Sequence, residues 1–162
     1  MVRTLRFLAV VALAMAVAGC GVRSSGVITG NAAPSGPAEG VTLYLVLDGK
    51  LSQVLRATSE QLTPEQTLNL LAAGPDPSER TRGFSSAVPG NIAPVTLSYG
   101  QTGQATLTLA ADVNSLSTMA ADQLVCTARD TLSTQAAAPG PVGITLTGHG
   151  QNRGPQSCPL PS

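Results

Sequence analysis

Aromatic and charged side chains are both scarce in this sequence, and tryptophan is absent altogether. Aromatic residues make up 2% and charged residues 11% of the 162 positions, and nine Lys and Arg residues balance nine Asp and Glu residues. Nucleic-acid binding needs a cationic surface and ring faces on which bases stack, so we expect no nucleic-acid partner. Long disordered chains are strongly charged, which this chain is not. Its length suits one modest folded domain.

The sequence also contains few of the residues and motifs that form catalytic and metal sites. Histidine occurs once, as His149 between two glycines, and the simplest interpretation is an exposed surface residue. Neither a Gly-x-Ser-x-Gly nucleophile elbow nor a phosphate-binding glycine loop is present. The acidic residues Glu60, Glu65, Asp76 and Glu79 fall near predicted helix starts and turns, where carboxylates have local structural roles. We therefore expect a protein that is not an enzyme and holds no metal ion or cofactor.

The first twenty residues have the composition of an export signal. Arg3 and Arg6 precede an apolar run over residues 7–17, which at about 1.5 Å per residue covers only about half of a hydrocarbon core. That length, with small residues after it, indicates a secretory signal rather than a spanning helix or a buried core helix. The sequence Val17-Ala18-Gly19-Cys20 resembles the bacterial lipobox, in which the cysteine is acylated with palmitate-type chains and the signal is cut just before it.

The lipobox resemblance implies a signal peptide over residues 1–19 and a lipidated Cys20 at the start of the mature chain. Each buried methylene contributes about 0.8 kcal/mol, so two or three acyl chains would hold the protein at the extracytoplasmic face of the cell membrane. Loss of Arg3 and Arg6 leaves seven basic and nine acidic residues, a net charge of −2. Residues 21–40 include five Gly, three Ser and two Pro, which predicts a flexible linker. Its expected reach is about 25 Å.

One domain is expected over residues 41–148, with the element order β-β-α-β-β-α-β. Apolar alternation predicts its strands, which fall at residues 41–47, 51–56, 95–99, 105–109 and 142–146. This order predicts an α+β fold in the form of a single two-layer α/β sandwich. We expect the helices to cover one face of the sheet and to leave a Thr- and Ser-rich face to solvent or a partner.

Capping signals and periodicity predict the two helices. Thr63 followed by Pro64 and Gln66 predicts a helix start with a capping box, and Gly74-Pro75 predicts the end of that helix. The second helix is expected over residues 117–132. The residues expected to be buried on the two helices are Leu68, Leu71, Ala72, Ala121, Leu124, Val125, Ala128 and Leu132.

The chain has three cysteines, an odd number that the lipid anchor explains. With Cys20 acylated, Cys126 and Cys158 remain, and an exported protein lies outside the reducing cytosol. We predict a disulfide between them that staples a Gly- and Pro-rich tail over residues 149–162. Closing a loop of about 33 residues would contribute roughly 3.7 kcal/mol in the chain-entropy description. A reactive thiol is the competing interpretation, and neither a Cys-x-x-Cys spacing nor an adjacent histidine favours it.

The segment after the first helix carries a family resemblance. From residue 70 to residue 89 it reads Leu-Leu-Ala-Ala-Gly-Pro-Asp-Pro-Ser-Glu-Arg-Thr-Arg-Gly-Phe-Ser-Ser-Ala-Val-Pro. It resembles the signature of the GerMN domain, the sporulation and spore germination module: Leu-x-x-Gly-Pro, then Glu-Arg, Gly-hydrophobic and Ala-hydrophobic-Pro. The residues that carry the match are Gly74, Pro75, Glu79, Arg80, Gly83 and Pro89. We expect Glu79 to pair locally with Arg80 or Arg82.

The resemblance covers residues 41–148 and looks closest to lipoproteins of actinobacterial type. It implies a compact α/β domain similar to the ring-building modules of secretion and sporulation machines, which act by protein–protein contact and offer no catalytic residues. The sequence therefore predicts a membrane-anchored, non-enzymatic envelope lipoprotein whose domain mediates interaction or assembly with an unidentified envelope protein. The alternative is a binding module for a small molecule or a cell-wall fragment, in a cleft near the loop between Gly74 and Pro89.

Overall fold

The computed structural model describes residues 40–100, 104–134 and 143–161, which form an α+β fold with two β-sheets and three α-helices. The elements in chain order are β1 (Gly40–Leu47), β2 (Lys50–Ala57), α1 (Pro64–Ala72), α2 (Pro77–Thr81), β3 (Thr96–Tyr99), β4 (Gln104–Thr108), α3 (Thr118–Thr134), β5 (Gly143–Gly148) and β6 (Gln151–Gln156). The predicted signal peptide over residues 1–19, the lipidated Cys20 and the linker up to residue 39 lie outside the described residues.

The first sheet is the antiparallel hairpin of β1 and β2. Asp48 and Gly49 form its turn with φ values of 50° and 72°, the left-handed pair that a two-residue hairpin turn favours. Leu43 and Leu45 of β1 are fully buried in the hydrophobic core, and Tyr44 between them is buried on the opposite side of the strand. Strand β1 is therefore buried on both of its faces, although β2 is the strand with which it pairs.

Helix α1 begins and ends where the capping signals predict. The Thr63 hydroxyl accepts from the Gln66 N–H at 3.3 Å, and the Gln66 side chain accepts from the Thr63 N–H at 2.8 Å. The helix closes at Ala72, and Gly74 follows with a φ of 82°, a left-handed conformation that glycine adopts without strain. The residues expected to be buried on α1 and α3 are all buried: Leu68, Leu71, Ala72, Ala121, Leu124, Val125, Ala128 and Leu132.

The second sheet is mixed and has the strand order β3-β4-β5-β6. Strands β3 and β4 pair antiparallel, β4 and β5 pair parallel, and β5 and β6 pair antiparallel. A parallel pair requires a crossover, which the chain makes through α3. Helix α3 packs against α1, β1 and β5. One hydrophobic cluster therefore joins both sheets and both long helices, within a compact unit that spans Gly36–Ser162.

Two elements differ from the sequence expectation. The segment Gln151–Gln156, expected to belong to a tail, forms β6 beside β5. Its residues have low strand propensity, so pairing with β5 decides its conformation. Gly154 and Pro155 lie where the β5–β6 register shifts, and an edge strand tolerates proline at such a place. The short helix α2 also forms within a segment expected to be a loop. No helix within the described residues is long and apolar enough to cross a membrane.

Candidate functional site

The segment that resembles the GerMN signature, called the motif loop below (residues 74–89), is built around a buried ion pair. Glu79 of α2 is 1% exposed at its side chain, and Arg56 at the end of β2 is 11% exposed. The Arg56 Nε donates to Glu79 Oε1 at 2.9 Å, and its Nη2 donates to Glu79 Oε2 and to the Gly74 carbonyl. Because a buried charge is costly unless it is paired and hydrogen-bonded, these contacts fix the start of the motif loop on β2.

Asp76 belongs to the same network and begins α2. Its Oδ1 accepts from the Glu79 N–H and from the Ser78 hydroxyl, each at 2.8 Å. The Asp76 N–H in turn donates to Glu79 Oε2 at 2.8 Å, which completes a capping box. The hydrogen bond from the Glu79 N–H, followed by that from Ser78, holds the pKa of Asp76 below its ordinary value.

The expectation that Glu79 pairs with Arg80 or Arg82 is wrong. Arg80 is exposed and donates through Nη1 to the Pro75 carbonyl, and the Arg82 guanidinium lies 5.2 Å from the centroid of the Phe84 ring. Burial explains the difference, because the Glu79 carboxylate points inward, where it meets Arg56 from β2 rather than its neighbours on α2.

The second half of the motif loop turns the chain onto β1. Gly83 follows α2 in a left-handed conformation, with a φ of 89°. The Phe84 N–H donates to the Glu79 carbonyl at 3.0 Å, a hydrogen bond typical of helices that end in such a glycine. Ser85 then exchanges backbone hydrogen bonds with Val46 in both directions, each at 2.8 Å. The last motif residue, Pro89, accepts from the Ile92 N–H at 3.3 Å at the start of a short 3₁₀ turn.

Side chains of α3 occupy the next backbone groups along the same edge of β1. Gln123 donates to the Tyr44 carbonyl at 2.8 Å and accepts from the Ala87 N–H at 2.8 Å. Thr127 accepts from the Tyr44 N–H at 3.1 Å. Together with Ser85, these residues satisfy the edge of β1 at Tyr44 and Val46, so that this edge offers no strand-pairing site there.

An amide side chain acts in the same way at the start of β3. Asn69 of α1 accepts from the Val95 N–H at 2.9 Å and donates to the Val95 carbonyl at 3.4 Å. Val95 directly precedes β3, the first strand of the second sheet. Asn69 therefore takes the place of a partner strand at one residue, just before the strand proper begins.

The second sheet has one face covered by the core and one face rich in hydroxyl groups, as the alternation predicts. Leu107 and Ile144 are fully buried on the inner face. The residues of the outer face are exposed or half-buried: Thr96, Ser98, Thr106, Thr108, Thr145, Thr147 and Asn152. Cross-strand pairing aligns them in rows, for example Thr96 with Thr108. This hydroxyl face carries no charged side chain among those residues.

The sulfur atoms of Cys126 and Cys158 lie at bonding distance, and their Cα atoms are 4.7 Å apart. Cys126 is fully buried on α3, and Cys158 is partly buried against the hydrophobic core. Arg129, one turn further along α3, donates to the Leu160 carbonyl at 2.8 Å. The segment that follows β6 is thus attached to α3 at two points, and β6 itself adds the attachment to β5.

Among the described residues, the titratable side chains outside the motif loop do not form one cluster. His149 is exposed in the turn between β5 and β6, with a φ of 50°. Partial burial raises the pKa of Asp122 on α3, and the charge of Arg153 opposes that shift. In the part of the chain that the structure describes, no group of three or more His, Cys, Asp and Glu residues could hold a metal ion.

Sequence reasoning missed three residues that organise these surfaces: Arg56, Asn69 and Gln123. Arg56 lies on the same side of β2 as the buried Val54, so its position in the strand alternation is the available signal. Gln123 is a polar residue next to the predicted apolar stripe of α3, and a polar residue at a buried position needs internal partners. Nothing in the sequence around Asn69 reveals its partner 26 residues away.

Comparison of the chain with protein-family models, with curated proteins and with solved structures gave no significant match.

Proposed function

We propose that this protein is a lipid-anchored, non-enzymatic lipoprotein of the cell envelope, whose GerMN-like domain acts by contact with other proteins. Its α+β domain is a two-layer sandwich, with α1 and α3 on the inner side and the hydroxyl face on the outer side. Cys20 holds the chain at the extracytoplasmic face of the membrane, and residues 21–39 give it reach. Confinement to a surface raises the effective concentration of partners, so that weak contacts suffice.

The observation that carries the proposal is the sequence Val17-Ala18-Gly19-Cys20 at the end of a short apolar run. The described domain adds support because the polar side chains of its motif loop are used within the fold. The polar side chains of the motif loop bond within the domain itself, Glu79 with Arg56 and Asp76 with Ser78. Every buried side-chain nitrogen and oxygen among the described residues has a hydrogen-bond partner. The motif loop thus builds the domain, and the exposed surfaces are left for contact.

Cross-linking in intact cells followed by mass spectrometry tests the proposal. We expect adducts with other envelope proteins for the natural chain, and we expect them to be lost in Cys20→Ser, which removes the acylation site. Recovery of no protein adduct, together with retention of the natural chain on purified peptidoglycan, would overturn the proposal in favour of a cell-wall binding module.

A further inference from the structure

Strand β3 is an edge strand whose outward backbone groups are unpaired within the described residues. It pairs with β4 alone, and the Gly100 N–H donates to the Gln104 carbonyl at 2.9 Å. In an antiparallel ladder, that bond places the N–H and C=O groups of every second residue, Ser98 and Thr96, toward β4. The same groups of Leu97 and Tyr99 therefore point away from the sheet.

The other outer edges carry features that discourage strand pairing, whereas β3 does not. Strand β6 contains Pro155, and a register shift separates its two halves. Strand β2 begins with the exposed Lys50, whereas Arg56 near its other end is bound to Glu79. Charged residues, proline and irregular register are the devices by which proteins protect sheet edges. Strand β3 reads Thr-Leu-Ser-Tyr, without charge or proline, and Tyr99 at its end is 40% exposed.

We propose that β3 pairs with β3 of a second copy of this chain, antiparallel and about a two-fold axis at Ser98. This inference deepens the proposed assembly role, and it rests on that role only for the membrane confinement that supports a weak contact. In this register Leu97 lies opposite Tyr99 of the second copy. Each residue then exchanges both of its free backbone groups, and the exposed Tyr99 ring packs beside a leucine.

The register follows from which backbone groups are already in use. Centring the pair on Leu97 would set Tyr99 against Val95, whose N–H and C=O are held by Asn69. Centring it on Ser98 uses the outward groups of Leu97 and Tyr99 and leaves the contact between Asn69 and Val95 intact. Since β3 and the neighbouring hydroxyl face carry no charge, two copies meet there without repulsion.

The size of the contact predicts a weak dimer. A four-residue strand is about 13 Å long, and pairing two such strands buries far less than the roughly 1,200 Å² typical of stable complexes. Confinement of two copies to one membrane surface raises their effective concentration, which favours such a weak edge contact. The proposed dimer is therefore a membrane-surface species.

Cysteine cross-linking of the full-length chain in its native membrane tests this register. Residues opposite each other in a non-hydrogen-bonded antiparallel pair have Cα atoms about 4.5 Å apart, which suits a disulfide. We expect Ser98→Cys to form a covalent dimer under mild oxidation. Thr108→Cys, an exposed residue of the same face on the interior strand β4, is the matched control. We expect at least about tenfold less dimer from it, because the two Thr108 positions would not meet.

Charge variants at the same position provide a second measurement that does not depend on oxidation. Ser98→Lys and Ser98→Glu each place like charges on the proposed axis, so we expect each variant alone to lose chemical cross-linking between copies. Co-expression of the two variants should restore it, because opposite charges then face each other. A stable fold for each variant is checked by its thermal unfolding.

Three results would overturn the inference: no dimer from Ser98→Cys, equal dimer from Thr108→Cys, or dimer from Gln53→Cys on the β2 edge in place of Ser98→Cys. Adducts with other envelope proteins but no Ser98 dimer would leave the proposed function standing without this contact. A Ser98 dimer without other adducts would support self-assembly and would contradict the proposed contact with other envelope proteins.

Discussion

At the residue scale, the motif loop depends on one buried charge pair. Glu79 is almost fully buried, and the guanidinium of Arg56 binds it through two nitrogens while also binding the Gly74 carbonyl. Glu79 lies in the motif loop, but its partner comes from β2, 23 residues earlier in the chain. The sequence alone identifies the acidic residue and gives no means of choosing among the arginines, since that choice depends on which side of α2 faces the core.

Replacing Glu79 with Gln should destabilise the domain strongly. The change leaves the Arg56 charge with only the more distant Asp76 carboxylate, 3.9 Å from its Nε, and removing one partner of a buried pair costs about 3–5 kcal/mol. Chemical denaturation of the variant measures this loss, and Glu60→Gln, at an exposed carboxylate, is the control. The double variant Arg56→Met with Glu79→Leu should recover part of the lost free energy of unfolding. A loss below about 1 kcal/mol for Glu79→Gln would contradict the assigned role.

Asp76 should make the domain sensitive to acid. Its folded-state pKa lies below the ordinary value of 3.8 because the Glu79 N–H and Ser78 hydroxyl bond its carboxylate. A lowered pKa adds stability that is present above pH 3.8 and is lost as the pH falls through the folded-state pKa. Asp76→Asn should therefore flatten the acid side of a plot of unfolding free energy against pH. An unchanged slope between the variant and the natural chain would contradict this.

At the element scale, local signals predicted the elements that carry them and missed those set by distant contacts. The capping box at Thr63 and the Asp48-Gly49 turn lie within a few residues of the structure they specify. Strand β6 has no such signal, because its conformation comes from pairing with β5. The amide contact from Asn69 to Val95 likewise joins two distant segments. Periodicity cannot show such pairings, since it describes each segment alone.

The side-chain amide of Gln123 should contribute more to the free energy of unfolding than the amide of an exposed glutamine. Gln123→Met keeps the size of the side chain but leaves the Tyr44 carbonyl and the Ala87 N–H without their partner. The Tyr44 carbonyl is buried, and leaving such a group unsatisfied costs about 1–3 kcal/mol, whereas Ala87 is exposed and its N–H can bond to water. Chemical denaturation should show a loss in that range, whereas the exposed Gln53→Met should show little. Hydrogen exchange at Ala87 should become faster, and unchanged exchange would contradict the proposed contact.

At the scale of the whole molecule, α3 joins the parts of the domain. It contacts α1 and both sheets, satisfies the edge of β1, and holds the segment after β6 through Cys126 and Arg129. The expected tail is therefore part of the folded domain. Composition suggested otherwise because a segment rich in Gly and Pro lacks the side chains that usually bury a chain, and here backbone pairing and two anchoring contacts take their place.

Removal of the disulfide between Cys126 and Cys158 should destabilise the domain while β6 stays paired with β5. Replacing Cys126 and Cys158 together with Ala should lower the free energy of unfolding by roughly 2–4 kcal/mol, the usual range for a lost disulfide. Hydrogen exchange should still show protection within Gln151–Gln156, because β5 continues to pair with it. Free exchange throughout β6 in this variant would show that the staple alone holds the segment. Free thiols in natively exported protein would refute the disulfide.

The account as a whole depends on the proposed anchor at Cys20, because confinement to a membrane would make weak contacts of a small domain effective. The most direct measurement is the mass of the N-terminal peptide of the protein isolated from its membrane fraction. We predict a peptide that begins at Cys20 and carries two or three acyl chains, and we predict release from the membrane in Cys20→Ser. An unprocessed N-terminus at Met1 with an unmodified Cys20, or unchanged membrane retention of Cys20→Ser, would contradict the account.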